Sequence, residues 1–385
     1  MTKIALLSHR FGNIGHWFMA LGMEEIVREV YGRETQIIHF EQHRPFEVYP
    51  GGHWLRKLNN VPHHRLKIVR RVLGTSFMTE NLYRGLSPLD FDLAIACGGP
   101  SLVPGVSASH QMYLLLHHLN GAFRYRGVPF LDLAVGSAFP HEAAAKRITD
   151  PEDRKFFKKA LSLVDRVTVR DSVADAVVRD LGYDSRLIPC AALVSGRAFE
   201  RIAPQKPKDE SYVAVNFQPA GANEDWGQGV DREKWARTVG AAITDLQSRH
   251  LVKMLAHSEE EYRVASLLYP NVECVYPTSI FQYRHFLLGA KAGLASRVHA
   301  ALAAAGVGIP SVLIGTDSRM GTLDQIGLPT KYVKEAEAAW IVQAIEGLLS
   351  NRLLEFERLV SLREDVAGQY GEVLTSLGLG TGAHV

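Results

Sequence analysis

The chain has 385 residues, more than one ordinary hydrophobic core organises and about right for two domains. Its 46% hydrophobic and 22% charged residues are those of a folded globular protein, and a formal net charge of +2 gives no overall pull toward nucleic acid. No window approaches the roughly 18 apolar residues of a membrane span, "IALL" at the N-terminus is too short for the core of a signal peptide, and Cys97, Cys190 and Cys274 lack metal-ligand spacing. The expected setting is the reducing cytoplasm, with no resident cofactor or metal.

Short apolar runs ending in polar or glycine turns predict strands at "KIALLSH", "TQIIHF", "FDLAIACGG", "VPFLDLAVG" and "RVTVRD". Helical stretches such as "GHWFMALGMEEIVREVYG" and "SVADAVVRDLGY" lie between them. The rhythm returns in "SYVAVNFQP", "LVKMLAHS", "NVECVYP", "AKAGLAS" and "PSVLIG", with helices at "DREKWARTVGAAITDLQSRH" and "SEEEYRVASLLY". Strands alternating with helices imply doubly wound parallel sheets. Residues 196–211 are polar, hold two prolines and lack apolar periodicity, so they read as a linker. The α/β domains then cover 1–195 and 212–345, and a helical tail over 346–385 packs back on the first. Two such domains face a central cleft at the carboxyl ends of their strands.

Five places could carry chemistry. In "HRFGNIGHWFMALG", Gly12 and Gly15 form a turn and a helix begins near Trp17, so backbone N–H groups can receive an anion or a sugar hydroxyl; a plain tight turn is the alternative. Gly98 and Gly99 follow a strand and permit close approach of a ligand, or simply turn the chain. Arg170 ends the strand "RVTV", with Asp171 or Ser172 capping the next helix; it points into the cleft and suits carboxylate or phosphate, or else pairs with Asp171. His257 follows "LVKML", Ser258 is an N-cap and Glu261 fills the capping-box position, so the acids there read as helix-start residues. In "SRVHAALAAAGVGIPSVLIG", Ser296 as N-cap makes Arg297 N1, Val298 N2 and His299 N3. The free N–H groups and both cationic side chains then address one anion seat at the start of an alanine-rich helix, or else Arg297 and His299 are solvent-facing first-turn residues. Residues 53–71 hold six Lys/Arg, three His and no acid. They read as a solvated helix face, a contact for an anionic acceptor, or a peripheral contact with the inner face of the membrane.

Taken in order, "GNIG", "CGGPSL", "VRDSVADAVVRDLGY", "SRVHAALAAAGVGIPSVLI" and "DSRMGTLDQIGLP" resemble the polysaccharide pyruvyl transferase family over about residues 4 to 330. The resemblance implies two Rossmann-like domains in a GT-B-like arrangement, with acceptor on the N-terminal side and donor on the C-terminal side. It implies transfer of the enolpyruvyl unit of phosphoenolpyruvate to two hydroxyls of a sugar, the acceptor being free or nucleotide- or lipid-diphosphate-linked. By the same resemblance Arg170, Arg297, Val298 and Arg319 hold the donor and His299 is the general acid. Asn13, Gly15, His16, Gly98, Gly99 and His257 line the acceptor side of the cleft. The chain departs from the family pattern at His16, Pro100, Cys190 and Arg319. Competing readings are a GT-B glycosyltransferase or sugar-nucleotide epimerase, and a non-catalytic subunit of an exopolysaccharide assembly complex.

Overall fold

The computed structural model describes residues 2–8, 14–41, 47, 49–54, 56–57, 90–105, 123–124, 126–202, 211–222 and 224–379. The glycine turn at Asn13 and most of the basic stretch 53–71 lie outside them. Twelve strands among the described residues form two six-stranded, wholly parallel sheets. The first holds β1 (Lys3–Ser8), β2 (Gln36–Glu41), β3 (Leu93–Leu102), β4 (Phe130–Ser137), β5 (Arg166–Val169) and β6 (Arg186–Leu187), in the order β2-β1-β3-β4-β5-β6. The second holds β7 (Tyr212–Asn216), β8 (Leu251–Leu255), β9 (Glu273–Val275), β10 (Ala290–Ala295), β11 (Ser311–Gly315) and β12 (Thr330–Tyr332). Its order, β9-β8-β7-β10-β11-β12, reverses direction between β7 and β10; the first sheet reverses between β1 and β3. A crevice opens at the carboxyl ends of the strands at such reversals.

The helices pack on the sheets as the apolar spacing predicts. Besides a single turn at Gly321–Asp324, they are α1 (Gly15–Tyr31), α2 (Pro151–Leu161), α3 (Ser172–Asp180), α4 (Ser195–Ile202), α5 (Arg232–Gln247), α6 (Glu259–Leu268), α7 (Ile280–Leu287), α8 (Val298–Gly306), α9 (Ala338–Ser350) and α10 (Arg352–Thr375). Among the described residues no helix is long and apolar enough to cross a membrane. Helix α1 starts at Gly15, two residues before the expected Trp17, which puts His16 in its first turn. Gly98 and Gly99 do not end their strand: β3 runs on to Leu102, with a register irregularity after Gly99.

The start of the expected linker is helical. Helix α4 lies against α1 and α8, so residues 195–202 are an integral part of the core rather than a spacer. Backbone meets backbone here. A side chain added at Gly196 would collide with the Gly306 carbonyl, and one at Gly306 with the Leu193 carbonyl. Arg363 of α10 binds the Gly306 carbonyl oxygen at 3.0 Å and Glu200 at 2.7 Å, placing a cation at the negative end of α8. The tail also returns to the N-terminal half: Tyr31 donates its hydroxyl to the Leu374 carbonyl at 3.0 Å, and Tyr370 donates to that of Pro189 at 3.1 Å. One apolar cluster consequently runs from Ile4 and Phe18 through Leu302 to Leu374. Overpacking at such a contact costs about 1–3 kcal/mol or more. Gly196→Ala is therefore expected to lower the denaturant midpoint, whereas Gly347→Ala, where an added carbon meets nothing within 4 Å, should not.

Candidate functional site

The carboxyl ends of β5, β7, β8 and β10 bring the strongest site candidates together. Asn216 ends β7, His257 follows β8, Arg170 follows β5, and Arg297 and His299 follow β10. The N-cap of α8 is Arg297, one residue later than expected, because the Ser296 N–H stays in the sheet and donates to the Asn216 carbonyl at 3.0 Å. Val298 and His299 are thus the first and second helical residues, and their N–H groups have no intrahelical acceptor.

Arg297 is fixed at two levels. Its backbone N–H donates to Asn216 Oδ1 at 3.1 Å. Its Nε donates to Glu261 Oε1 at 2.6 Å, and Nη2 completes the ion pair. Glu261, 5% exposed, also accepts from the His257 N–H at 2.8 Å and Gln218 Nε2 at 3.1 Å. Ser258 caps α6 as expected, but Glu261 does not close a capping box: its carboxylate turns inward to the arginine. Breaking a buried pair costs about 3–5 kcal/mol because the remaining charge is stranded. Glu261→Gln is expected to destabilise the fold on that scale, measured by chemical denaturation.

Arg170 is held in an opposite manner. It is 1% exposed, yet among the described residues no carboxylate pairs with it. Asp171 caps α3 through the Ala174 N–H at 2.7 Å and binds Ser137, so the alternative Arg170–Asp171 pair does not form. The Arg170 Nη1 atom meets Met19 Sδ at 3.4 Å, Cys190 Sγ at 3.5 Å and His299 Nε2 at 3.2 Å. Its Nε is buried with no hydrogen-bond partner. The guanidinium lies on Gly136, where an added Cβ would fall 2.5 Å from Nε. A bulge in β4, with Ala134 at φ 59°, precedes that glycine. Gly98, at φ 69°, leaves the space of its side chain to Met19, so its small size serves the packing under Arg170.

His299 is half-buried between Arg170 and the edge of the His16 ring, whose centroid is 5.6 Å away. Burial, and then the charge of Arg170, hold its pKa well below the ordinary imidazole value, with His16 and Arg319 adding to the effect. A guanidinium can only donate, so Nε2 of His299 accepts and the resting proton sits on Nδ1. His257 is 2% exposed and bonds the Tyr283 hydroxyl through Nε2 at 2.8 Å; burial and Arg297 lower its pKa too. It forms part of the wall. Arg319 is clamped by Asp317, Nε to Oδ1 at 2.8 Å, and Asp317 also accepts from Trp226 Nε1 at 2.8 Å. Ser318 crosses to the first sheet and meets Ser137 Oγ at 2.7 Å.

The family comparison decides what this arrangement belongs to. The model of the family described as polysaccharide pyruvyl transferase matches residues 13–318, which include the whole Arg170–Arg297–His299 cluster. The chain belongs to the polysaccharide pyruvyl transferase family. No curated protein matches it. Among solved structures, UDP-GlcNAc 2-epimerase from Neisseria meningitidis is similar at a TM-score of 0.55 and 13% identity, over 98% of this chain and 100% of that one. Sucrose-phosphate synthase from Thermosynechococcus elongatus follows the same path at a TM-score of 0.52 and 15% identity, over 98% and 99%. A putative UDP-N-acetylglucosamine 2-epimerase from Listeria monocytogenes gives 0.55 and 11%, over 97% and 96%. These likenesses show the fold: the pyruvyl transferase family member has the expected GT-B-like pair of parallel sheets.

Within this family member, the structure adds Asn216, Glu261, Gly136, Met19 and Cys190 to the residues expected from sequence. Two of them had a visible signal: Cys190 as a departure from the family pattern, and Glu261 as an acid four residues after His257, whose helix-start position pointed to capping instead.

Proposed function

We propose that the protein transfers the enolpyruvyl unit of phosphoenolpyruvate onto two hydroxyls of a sugar, forming a cyclic pyruvate ketal and releasing phosphate. Membership of the family supports the pyruvyl transfer. The observation that carries the donor is Arg170, a buried cation without a carboxylate, in contact with the imidazole of His299. Phosphoenolpyruvate brings a carboxylate and a phosphate within a few bonds of each other, and a guanidinium fork with a helix N-terminus suits both.

In this reading Arg170 supplies the uncompensated charge. Arg297, already neutralised by Glu261, and the N–H groups of Val298 and His299 orient the donor, with Arg319 at its edge. His299 gains a proton as the anion arrives and delivers it to the methylene carbon. One sugar hydroxyl then attacks C2. The second displaces phosphate, and the two hydroxyl protons balance the one given to carbon and the one left on phosphate. His16 and Gly15, at the start of α1, are assigned to the acceptor side; Asn13, which the resemblance assigns with them, lies outside the described residues. The basic stretch 53–71 contacts the diphosphate of a nucleotide- or lipid-linked acceptor at the inner face of the membrane. An Arg70/Arg71 double substitution should then raise the acceptor KM and leave that of the donor unchanged.

The deciding experiment compares thermal stability with phosphoenolpyruvate, UDP and UDP-sugars, since a ligand of the native state raises Tm by linkage. A shift with phosphoenolpyruvate, lost in Arg297→Ala, is expected. A shift with nucleotides alone would replace this reading with a nucleotide-sugar enzyme.

A further inference from the structure

The two halves also meet across the crevice along residues 137–142 and 316–318, and this contact has a buried polar core. Pro140 and Asp317 form an antiparallel bridge. On either side of it the Ser318 N–H donates to the Phe139 carbonyl and the His141 N–H to the Thr316 carbonyl, both at 2.9 Å. A chain of side chains runs alongside. Asp171 accepts from Ser137 Oγ at 2.7 Å and from the Ser137 N–H at 2.9 Å. The Ser137 proton is thereby committed, so at the 2.7 Å contact between the two hydroxyls Ser318 donates and Ser137 accepts. Ser318 Oγ accepts in turn from the Phe139 N–H at 3.0 Å. Both hydroxyls point toward the carboxylate, and each bond polarises the next. Ser137 and Asp171 are fully buried and Ser318 is nearly so.

Each end of this chain adjoins an arginine. Asp171 follows Arg170, and Ser318 precedes Arg319. Arg170, from the first half, touches His299 of the second, and Arg319 lies close enough to help lower the His299 pKa. We propose that Ser318 is a positioning residue: its bridge to Ser137 and Asp171 sets the spacing across the crevice between Arg170 on one side and His299 and Arg319 on the other, so that a ligand with two acidic groups is held by both halves at once. The inference rests on the donor reading above and adds what makes the two halves act as one site. The His141 bond to Thr316 and the Glu142 bonds to Gln228 and Lys334 do not involve the Ser318 hydroxyl. Ser318→Ala therefore leaves the halves joined and releases the spacing alone.

The test measures binding of phosphoenolpyruvate and of inorganic phosphate by calorimetry to the wild type and to Ser318→Ala. Phosphate has one acidic group and can settle against either half. Ser318→Ala is expected to weaken phosphoenolpyruvate about tenfold and phosphate by no more than about twofold, since only the ligand that spans the crevice depends on the spacing. Equal weakening of both ligands, or of neither, overturns the role of Ser318. A second readout needs no ligand. His299 faces Arg170, His16, Arg319 and His257. With the bridge cut, Arg170 and Arg319 are no longer held against it, and its pKa is expected to rise toward the ordinary 6.5, read by ring nitrogen NMR with the signal assigned through His299→Ala. A merely structural role would lower Tm and leave the affinity ratio and the His299 pKa unmoved. An unmoved His299 pKa overturns the role of Ser318 whichever ligand the wild type binds. A wild type that does not bind phosphoenolpyruvate overturns the donor reading, and the His299 pKa then decides the role of Ser318 on its own. Should Ser318→Ala fail to fold, Ser137→Ala cuts the same bridge from the other half, with the same expected and overturning results.

Discussion

Replacing His299 by alanine is expected to abolish phosphate release from phosphoenolpyruvate while the donor still binds within a fewfold of the wild type. The imidazole accepts from Arg170, and Arg170, Arg297 and the N-terminus of α8 remain to hold the donor, so its loss removes the proton carrier while leaving most of the anion seat in place. The pH profile separates this role from a structural one. In the free protein, burial and Arg170 keep His299 neutral around pH 7. The fraction carrying the catalytic proton therefore falls as pH rises past a point below the ordinary value of 6.5. The descending limb of kcat/KM, which reports the free enzyme, should begin there. A bound carboxylate and phosphate oppose Arg170 and raise the imidazole, so the limb in kcat should lie at higher pH. Ring nitrogen NMR should show Nδ1–H alone without ligand and protons on both nitrogens with it. An unprotonated imidazole in the donor complex would remove His299 as the acid.

Replacing Arg170 by methionine is expected to remove donor binding and yet stabilise the fold. The side chain is 1% exposed, and among the described residues its Nε has no partner and no carboxylate offsets its charge, so the native state carries an electrostatic cost that a ligand relieves. A methionine of similar length returns to the same bed of Met19, Cys190 and Gly136 without that cost. The gain should be about 1–3 kcal/mol, by analogy with buried charges replaced by apolar side chains. The loss of anion affinity should be about tenfold to a hundredfold or more, the worth of a charge-assisted contact at a desolvated site. Denaturation and calorimetry on the same preparation read both quantities. A destabilised variant would mean that Arg170 is a structural residue after all.

The alternation of apolar runs and helices made the central strands of both sheets legible, because they are buried on two faces and read as continuous apolar segments; the short edge strands β6 and β12, exposed or partly exposed, carry no such signal. Arg170, Arg297 and His299 were legible for a related reason: they stand directly after predicted strands, where this architecture places its crevice. The partners that give those residues opposite electrical characters were not. Glu261 comes from α6 and Asn216 from β7, 36 and 81 residues from Arg297, and local spacing carries no trace of such pairings. Met19 looks like a core residue, and Cys190 stands out in sequence only as a departure from the family pattern; their contact with Arg170 links residues 151 and 20 positions apart. At Gly98 the sequence left a ligand's approach and a plain turn equally open, and the Met19 thioether that packs against it lies 79 residues away, beyond local spacing. The N-cap of α8 shifted by one residue because Ser296 belongs to the strand ladder, a competition between sheet and helix that composition does not resolve.

The backbone contact between Gly196 and Gly306 bears on how this protein could change over evolutionary time. Most junctions between two sheets drift freely, since side chains on either side can grow or shrink in compensation. Here two main chains touch with no side chain between them, and neither position has a smaller residue to fall back on. Relatives that alter the crevice for a new sugar can vary the loops at its rim at little cost. They cannot change the distance between the halves at this point without rebuilding α4 and α8 together, so diversification of acceptors should proceed by loop exchange around a fixed spacing.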